Sequence, residues 1–137
     1  MLVLDTNVLI AFQKRNRQVL AQYERALERD EVIAVPALVR YEARKELLNP
    51  LYVRRLTVLD GLLSLHPTLD LDAETTDIAA LLFENLRAGG NLIEDADLII
   101  AATALRHRAT LVTHNTRHFD RIPGLNLFNW QQENPIP

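Results

Sequence analysis

The sequence predicts an α/β domain with a mostly parallel β-sheet. Three observations lead to this prediction: short runs that are apolar at every position, longer stretches with apolar residues at three- and four-residue spacing, and the alternation of the two along the chain. A strand that is apolar throughout is typical of burial on both faces, as in a parallel sheet. The length of 137 residues fits one domain, and 48 % apolar with 24 % charged residues indicates a globular chain with its own core.

The first half of the chain contains three predicted strands and four predicted helices. The strands are residues 1–4, 31–35 and, with weaker alternation, 66–71. Asp5 and the two residues after it are typical of a cap that opens a helix through Lys14. The second helix would place on one face Val19, Leu20, Tyr23, Ala26 and Leu27. The third, 37–48, would align along one side Leu38, Tyr41, Lys45 and Leu48, and the break at 49–50 opens a fourth, 51–63.

The second half adds two strongly periodic helices and two strands. Asp72 is expected to cap the helix 73–87, in which one side carries Ile78, Leu81, Leu82 and Leu86. Two glycines end it, and a second helix, 94–107, leads into a strand, 109–113. A loop, 114–121, and a last strand, 125–128, follow. We expect one domain over residues 1–130 and a polar, frayed tail over 131–137, with Trp130 anchored in the core.

Polar residues occur where ligands bind in open parallel sheets, beyond the carboxyl ends of the strands. Asp5 ends the first strand, and Thr113 ends the strand 109–113. Asp97 directly precedes a nearly continuous apolar run, so we expect its carboxylate to be partly buried and to need a cation. Arg87 is the only Lys or Arg between residues 70 and 105, which leaves a metal ion as the simplest candidate. Oxygen ligands with open positions favour Mg²⁺, with Mn²⁺ as an alternative.

The composition excludes several other kinds of protein. Without cysteine the chain has no disulfide, thiolate zinc site or cysteine nucleophile. No apolar run reaches the roughly 18 residues of a membrane span, and no charged-then-apolar leader is evident, so we expect a cytoplasmic protein without a membrane partner. The net charge of −3 argues against a broad basic surface. Phosphate binding would then depend on a metal ion and a few arginines.

Four motifs in this order resemble the PIN-domain ribonucleases, and within them the VapC-type toxins of toxin–antitoxin pairs. They are LVLDTN at 2–7, Glu42 in the third helix, DLIIAA at 97–102 and LVTHN at 111–115. The segment 116–130 is also similar to the end of such toxins, so the resemblance covers essentially the whole chain. It implies a PIN-like fold, in which four to five short strands form a mostly parallel sheet with helices on both sides and an acidic pocket at one rim.

The resemblance also assigns roles to individual residues. It carries the catalytic and metal-binding positions over to Asp5, Glu42 and Asp97, and supporting polar positions to Thr6, Asn7 and Thr113. Asn115 falls where many members have a fourth acid, which is a departure, since an amide brings no charge. Asp95 lies about 200° round the helix from Asp97, so we do not expect both in one pocket, and Asp95 is either a cap or a supporting acid.

The expected activity is Mg²⁺-dependent hydrolysis of RNA phosphodiester bonds, with tRNA as the leading substrate. Asp5 and Asp97 would hold the ion, and Glu42 would complete the metal site or position the water. Candidate phosphate contacts are Arg40, Arg44, Arg117 and Arg121, together with Arg15 and Arg17 after the first helix. Arg40 and Arg44 stand one helical turn apart, and the anion between them could be a phosphate or an acidic side chain from elsewhere in the fold. His114 and His118 could act as acids but are more simply exposed loop residues. By resemblance, the partners would be a VapB-like antitoxin and a second copy of the chain.

Two other function classes remain open at this point. The first is a PIN-like regulatory module that binds RNA or protein with weak or no nuclease activity, which the amide at Asn115 favours. The second is a small-molecule phosphatase of the aspartyl-phosphate kind. It is disfavoured because such enzymes have a second Asp two residues after the first, where this chain has Asn7.

Overall fold

A computed structural model describes residues 1–131 as an α/β fold around one five-stranded sheet. All paired strands run parallel, and their order is β3-β2-β1-β4-β5. The strands are β1 (Leu2–Leu4), β2 (Ile33–Pro36), β3 (Thr68–Leu69), β4 (Thr110–Val112) and β5 (Asn126–Phe128). The predicted parallel α/β architecture is thus confirmed. The predicted frayed tail lies outside the described residues except for Gln131.

Seven helices within the described residues connect and cover these strands. They are α1 (Thr6–Gln13), α2 (Arg17–Glu28), α3 (Ala37–Lys45), α4 (Val53–Leu65), α5 (Ala73–Ala88), α6 (Asp95–Arg106) and α7 (Thr116–Phe119), with a 3-10 turn at Pro50–Tyr52 before α4. The helices α1–α4 connect β1, β2 and β3 in turn, and α5 and α6 connect β3 at one edge of the sheet to β4 beside β1. No helix among residues 1–131 is long and apolar enough to cross a membrane.

The core lies between the central strands and the helices on both faces. Every residue of β1 and β2 is buried, which explains why their sequences are apolar without alternation. In α6 the buried positions extend round most of the helix, as the apolar run after Asp97 predicts. Phe119 and Trp130 are the largest fully buried side chains, so the expected anchoring of Trp130 is confirmed.

The side of α3 that carries Leu38, Tyr41, Lys45 and Leu48 is not its most buried face. Its core positions are Val39 and Ala43, whereas Tyr41 and Leu48 are 60 % and 61 % exposed. α3 contacts both α1 and α6, and small side chains on the contact side allow the helices to approach closely. The larger side chains of Tyr41 and Leu48 therefore lie on the solvent face, while Leu38 packs against the edge of the core. The helix also ends at Lys45 rather than at residue 48.

Smaller corrections concern α2, α5 and two segments of irregular sequence. Leu27 and Leu81 are exposed although they were assigned to buried faces, while Leu82 and Leu86 are buried as predicted. The predicted strand 66–71 forms only two residues of β3, at the sheet edge. The predicted loop 114–121 contains α7, a single helical turn whose last residue, Phe119, is fully buried and holds it against the core.

Candidate active site

Asp5 and Thr113 lie side by side at the rim where the two central strands end. β1 and β4 pair in register with Leu4 opposite Val112, so the residues that follow them are neighbours. The Asp5 backbone N–H donates to the Val112 carbonyl at 2.9 Å and extends this pairing by one bond. The position of Asp5 is therefore fixed by the centre of the sheet.

The Asp5 carboxylate is buried, with 4 % of the residue exposed, and it is held by three donors. Thr113 Oγ1 donates to Oδ2 at 2.7 Å, Asn7 Nδ2 to Oδ2 at 3.3 Å, and the backbone N–H of Thr6 to Oδ1 at 2.7 Å, where Asp5 caps α1. Thr113 Oγ1 also accepts the backbone N–H of Asn115 at 3.0 Å. These bonds orient the carboxylate and connect it to the start of α7.

Glu42 reaches the same rim from α3. Thr6 Oγ1 donates to Glu42 Oε1 at 2.7 Å, so the first residue of α1 contacts Asp5 through its backbone and Glu42 through its side chain. The motif at 5–7 thus positions two acids that are far apart in sequence. Thr6, Asn7 and Thr113 all make contacts of the supporting kind that the resemblance implies.

Asp97 lies in the first turn of α6 and is paired with a histidine. His118 Nε2 lies 2.8 Å from Asp97 Oδ2, with side chains 38 % and 27 % exposed. Sequence reasoning missed this pair, because it searched for a cation only near Asp97 in the chain and treated His118 as an exposed loop residue. The partly buried carboxylate does have a partner in the fold, supplied by α7 after β4 has brought the chain back to the rim.

Burial is the main cause that raises the pKa of Asp5 above its ordinary value. Hydrogen bonds from Thr113 and Thr6 act in the opposite direction, because they stabilise the ionised form. The nearby carboxylates of Asp97 and Glu42 raise the pKa of Asp5 further. A bound cation would stabilise the ionised form of Asp5, because it would neutralise the negative charge that burial and the neighbouring carboxylates disfavour.

Burial also raises the pKa of Asp97, and the neighbouring His118 opposes this shift by attraction and hydrogen bonding. The carboxylates of Glu94 and Glu42 add to the rise in the pKa of Asp97. Glu94 is not among the site residues predicted from the sequence. Glu94 occupies the N-cap position of α6 without a side-chain capping bond among the described residues, and it lines the same cavity as Asp97. Because Glu94 lies three residues before Asp97, helical spacing alone predicts that the two carboxylates are neighbours.

An open cavity of about 580 Å³ lies beside Asp97. Its lining combines acids, histidines and two of the predicted RNA-contacting arginines: Glu94, Asp97, His114, Asn115, Thr116, Arg117, His118 and Arg121. Arg121 also donates to the Asn91 carbonyl at 3.3 Å. The cavity therefore places guanidinium groups next to the acidic pocket, where they could contact a phosphate.

Arg40, Arg44 and Asp95 lie away from this cavity. Arg44 pairs with Asp60 of α4 at 3.0 Å, so the counter-charge of Arg44 is an acid and not a phosphate. Arg40 lines a separate pocket with Tyr41 and other α3 residues. Asp95 lines an apolar groove between α5 and α6, and the N-cap position belongs to its neighbour, so neither suggested role for Asp95 is supported.

The donor set fits a divalent cation that retains much of its water. Among residues 1–131 no three carboxylate or imidazole side chains are close enough together to enclose an ion. However, Asp5 and Asp97 both have raised pKa values, and Asp5 and Glu42 lack a Lys or Arg ion-pair partner in the described part of the chain. Mg²⁺ is commonly bound by one or two carboxylates, waters and a substrate phosphate, which is what this rim offers.

Comparison with known proteins connects this site to one family. The PIN-domain family profile matches residues 2–125. The chain is 30 % identical to Ribonuclease VapC2 of Rickettsia felis, over 95 % of this chain and 98 % of that one. It is 32 % identical to the tRNA(fMet)-specific endonuclease VapC of Shigella flexneri, over 56 % of this chain and 58 % of that one. Its structure is similar to that of VapBC2 from Rickettsia felis bound to a promoter DNA fragment, with a TM-score of 0.81 over 94 % of this chain and 98 % of that one, at 30 % identity.

Proposed function

Because the chain belongs to the PIN-domain family, and within it to the VapC-type ribonucleases, we propose that it is a Mg²⁺-dependent endoribonuclease and the toxin of a VapBC-type pair. The single observation that carries the site assignment is the buried Asp5 carboxylate. It lies at the carboxyl end of the central strands, its pKa is raised by Glu42 and Asp97 as well as by burial, and no Lys or Arg in residues 1–131 pairs with it.

The roles follow from the contacts. Asp5 and Asp97 would hold Mg²⁺, which when bound supplies charge neutralisation at the phosphate and lowers the pKa of water. Glu42, held by Thr6, positions the attacking water. Thr113 fixes the orientation of Asp5. In the reaction the water oxygen adds to phosphorus, the bond to the leaving oxygen breaks, and the leaving oxygen takes up a proton.

Asn115 would hold a water or a substrate oxygen without adding charge. Its side chain lines the cavity and makes no capping bond to α7 within the described residues, although it occupies the N-cap position. Arg117 and Arg121 line the same cavity and would contact the phosphates on either side of the cleaved bond. Arg40 and Arg44 are not part of this proposal.

Substrate and partners are proposed from the relatives. The Shigella flexneri relative is named as a tRNA(fMet)-specific endonuclease, which makes tRNA the first substrate to test. The Rickettsia felis structure is a VapBC complex, so we propose a VapB-like antitoxin as partner and a homodimer as the form of the toxin. We further propose that residues 1–130 form a single PIN domain that acts in the cytoplasm. The second candidate function, an RNA- or protein-binding module with weak nuclease activity, is favoured by the amide at Asn115 alone.

The test is cleavage of purified tRNA by antitoxin-free protein, with Mg²⁺ or with EDTA. We expect discrete fragments with Mg²⁺, none with EDTA, and none from folded Asp5→Asn or Asp97→Asn protein. Asp95→Asn is the matched control, because it removes a carboxylate from the same helical turn but from a different groove, and it should cleave like the wild type. Full cleavage by Asp97→Asn protein free of contaminating nuclease would refute the site. Binding without cleavage by wild-type protein with Mg²⁺ would favour the regulatory module.

A further inference from the structure

A second polar cavity, about 460 Å³ in volume, lies where the end of α1 meets the start of α4. Four cationic side chains and two others line it: Lys14, Arg15, Arg54, Arg55, Gln13 and Val58. No carboxylate forms part of its wall. The site already described is acidic, so this cavity has the opposite electrostatic character on the same small protein.

The charges of this basic cavity are uncompensated in the described part of the chain. None of its four cations forms an ion pair with a carboxylate of residues 1–131, and all four are exposed. Arg55 rests against the ring of Tyr52, 5.4 Å from its centroid, which orients the guanidinium. Uncompensated cations around one cavity favour an anionic ligand that is not part of the protein.

A third cavity, about 400 Å³ in volume, lies along α1 between the basic cavity and the active site. It shares Lys14 with the basic cavity and His114 with the cavity beside Asp97, and Asn7 of the Asp5 network lies in its wall. The eight residues of α1 span about 12 Å. A path of three neighbouring cavities with shared wall residues therefore runs from the acidic rim along α1 to the four cations.

We propose that this path carries the RNA strand, and that the basic cavity binds a backbone phosphate several nucleotides from the cleaved bond. The inference rests on the proposed function, because it takes RNA as the substrate of the acidic site. Guanidinium groups match phosphate oxygens in a two-pronged geometry, and three of the four cations are arginines. An acidic peptide segment would also be attracted, but Val58 is the only apolar side chain of the wall. Continuity with the active site favours RNA.

Arg15 offers a variant that separates binding from folding. Its φ of 61° lies in the left-handed region, which glycine adopts without strain. Arg108, after α6, has a φ of 51° and lines none of the three cavities. Arg15→Gly and Arg108→Gly thus remove the same charge and relieve the same kind of strain, and neither should lower the melting temperature. Only the first should weaken RNA binding.

The experiment measures the fluorescence anisotropy of a labelled single-stranded oligouridylate with the Asp97→Asn protein and Mg²⁺. Arg15→Gly, added to this background, should weaken binding about threefold to fivefold, and Arg54→Gln with Arg55→Gln should weaken it more. Each lost phosphate contact should also reduce the slope of log affinity against log salt by about 0.7. Arg108→Gly should leave affinity and slope unchanged.

Equal affinities and slopes for Arg15→Gly, the Arg54/Arg55 double variant and Arg108→Gly would overturn the proposal. It would also be overturned if these substitutions weakened the binding of a labelled oligoglutamate peptide but not of RNA, since the site would then fit an acidic segment. Failure of the proposed function gives a different result. In that case wild-type protein leaves tRNA intact on a gel, whatever the basic cavity contributes to affinity.

Discussion

Replacing Thr113 by Val removes a buried hydroxyl from the centre of the site and nearly preserves the side-chain shape. Thr113 is fully buried, and its Oγ1 makes three contacts: it donates to Asp5 Oδ2 at 2.7 Å, accepts the Asn115 N–H at 3.0 Å and faces Asn7 Nδ2 at 3.5 Å. The last is too long to contribute much. The hydrogen bonds to Asp5 and Asn115 should therefore determine how much stability the substitution removes.

The cost follows from these two bonds. A hydrogen bond to a charged group contributes about 1.5–3 kcal/mol, and leaving the partly buried Asn115 N–H without its acceptor costs about 1 kcal/mol more. Thr113→Val should therefore lower the free energy of unfolding by about 2.5–4 kcal/mol. A domain with a typical stability of about 5–15 kcal/mol remains folded after such a loss. Thr103→Val is the matched control. Thr103 is also buried, but its hydroxyl donates only to the Ile99 carbonyl of its own helix, at 2.8 Å, so its loss should cost less than about 1 kcal/mol.

The assay is urea unfolding in the presence of EDTA, followed by tRNA cleavage with Mg²⁺ well below the unfolding midpoint. With an m-value of about 1–3 kcal/mol/M, Thr113→Val should lower the midpoint by roughly 1–4 M. Because Asp5 loses a fixing bond, cleavage should also fall by about 10- to 100-fold, as is typical when a residue that orients a metal ligand is removed. If Thr113→Val were no less stable than Thr103→Val, or cleaved tRNA at the wild-type rate, the hydroxyl would not have the role assigned here.

Three further predictions concern the pH dependence of stability and the packing of two helices. Tyr23 Oη lies 2.6 Å from His66 Nε2, and burial lowers the pKa of His66 below its ordinary 6.5, so stability should be complete above pH 6.5 and fall with pH below it; a His66→Gln protein should show a weaker dependence in thermal melts, with the remainder coming from His114, whose pKa burial also lowers. Phe119→Ala should lower the unfolding free energy by about 3–5 kcal/mol and reduce cleavage in proportion to the loss of α7, measured by urea unfolding and a tRNA assay. Leu82→Ala should lower the free energy of unfolding, measured with urea, by about 2–5 kcal/mol, and Leu81→Ala by less than about 0.5 kcal/mol. Equal losses for the two variants would contradict the observation that Leu82 is buried and Leu81 exposed on α5.

The elements that position the acidic site follow strong local rules, and the sequence was sufficient to predict them. β1 is apolar at every position and Asp5 caps the next helix, so both the strand end and the helix start are determined within a few residues. Asp97 lies in the first turn of a helix that is buried round most of its circumference, which directs its carboxylate toward the rim. The roles of these carboxylates came from the family resemblance, because no local rule connects Glu42 of α3 with Asp5.

Contacts between distant segments could not be predicted in the same way. The pairing of Asp97 with His118 depends on the path of β4 and on a helix of only four residues, which carries almost no periodic signal. The buried face of α3 depends on how closely its neighbours approach, and the small residues Val39 and Ala43 meet that requirement better than Tyr41 does. Periodicity shows that a helix has two faces, but the packing partners decide which one is buried.

The two halves of the acidic rim belong to parts of the fold that open at different free energies. Asp5 and Thr113 extend the central pair β1 and β4, whose backbone bonds are lost only when the whole sheet unfolds. His118 belongs to α7, which is one turn long and packs beside the edge strand β5, so its opening exposes Phe119 but breaks no backbone bond between β1 and β4. A local opening of α7 would release Asp97 from His118 and widen the cleft, while the Asp5 carboxylate keeps its hydrogen bonds. A large RNA could then enter without disturbing the rigid half of the rim.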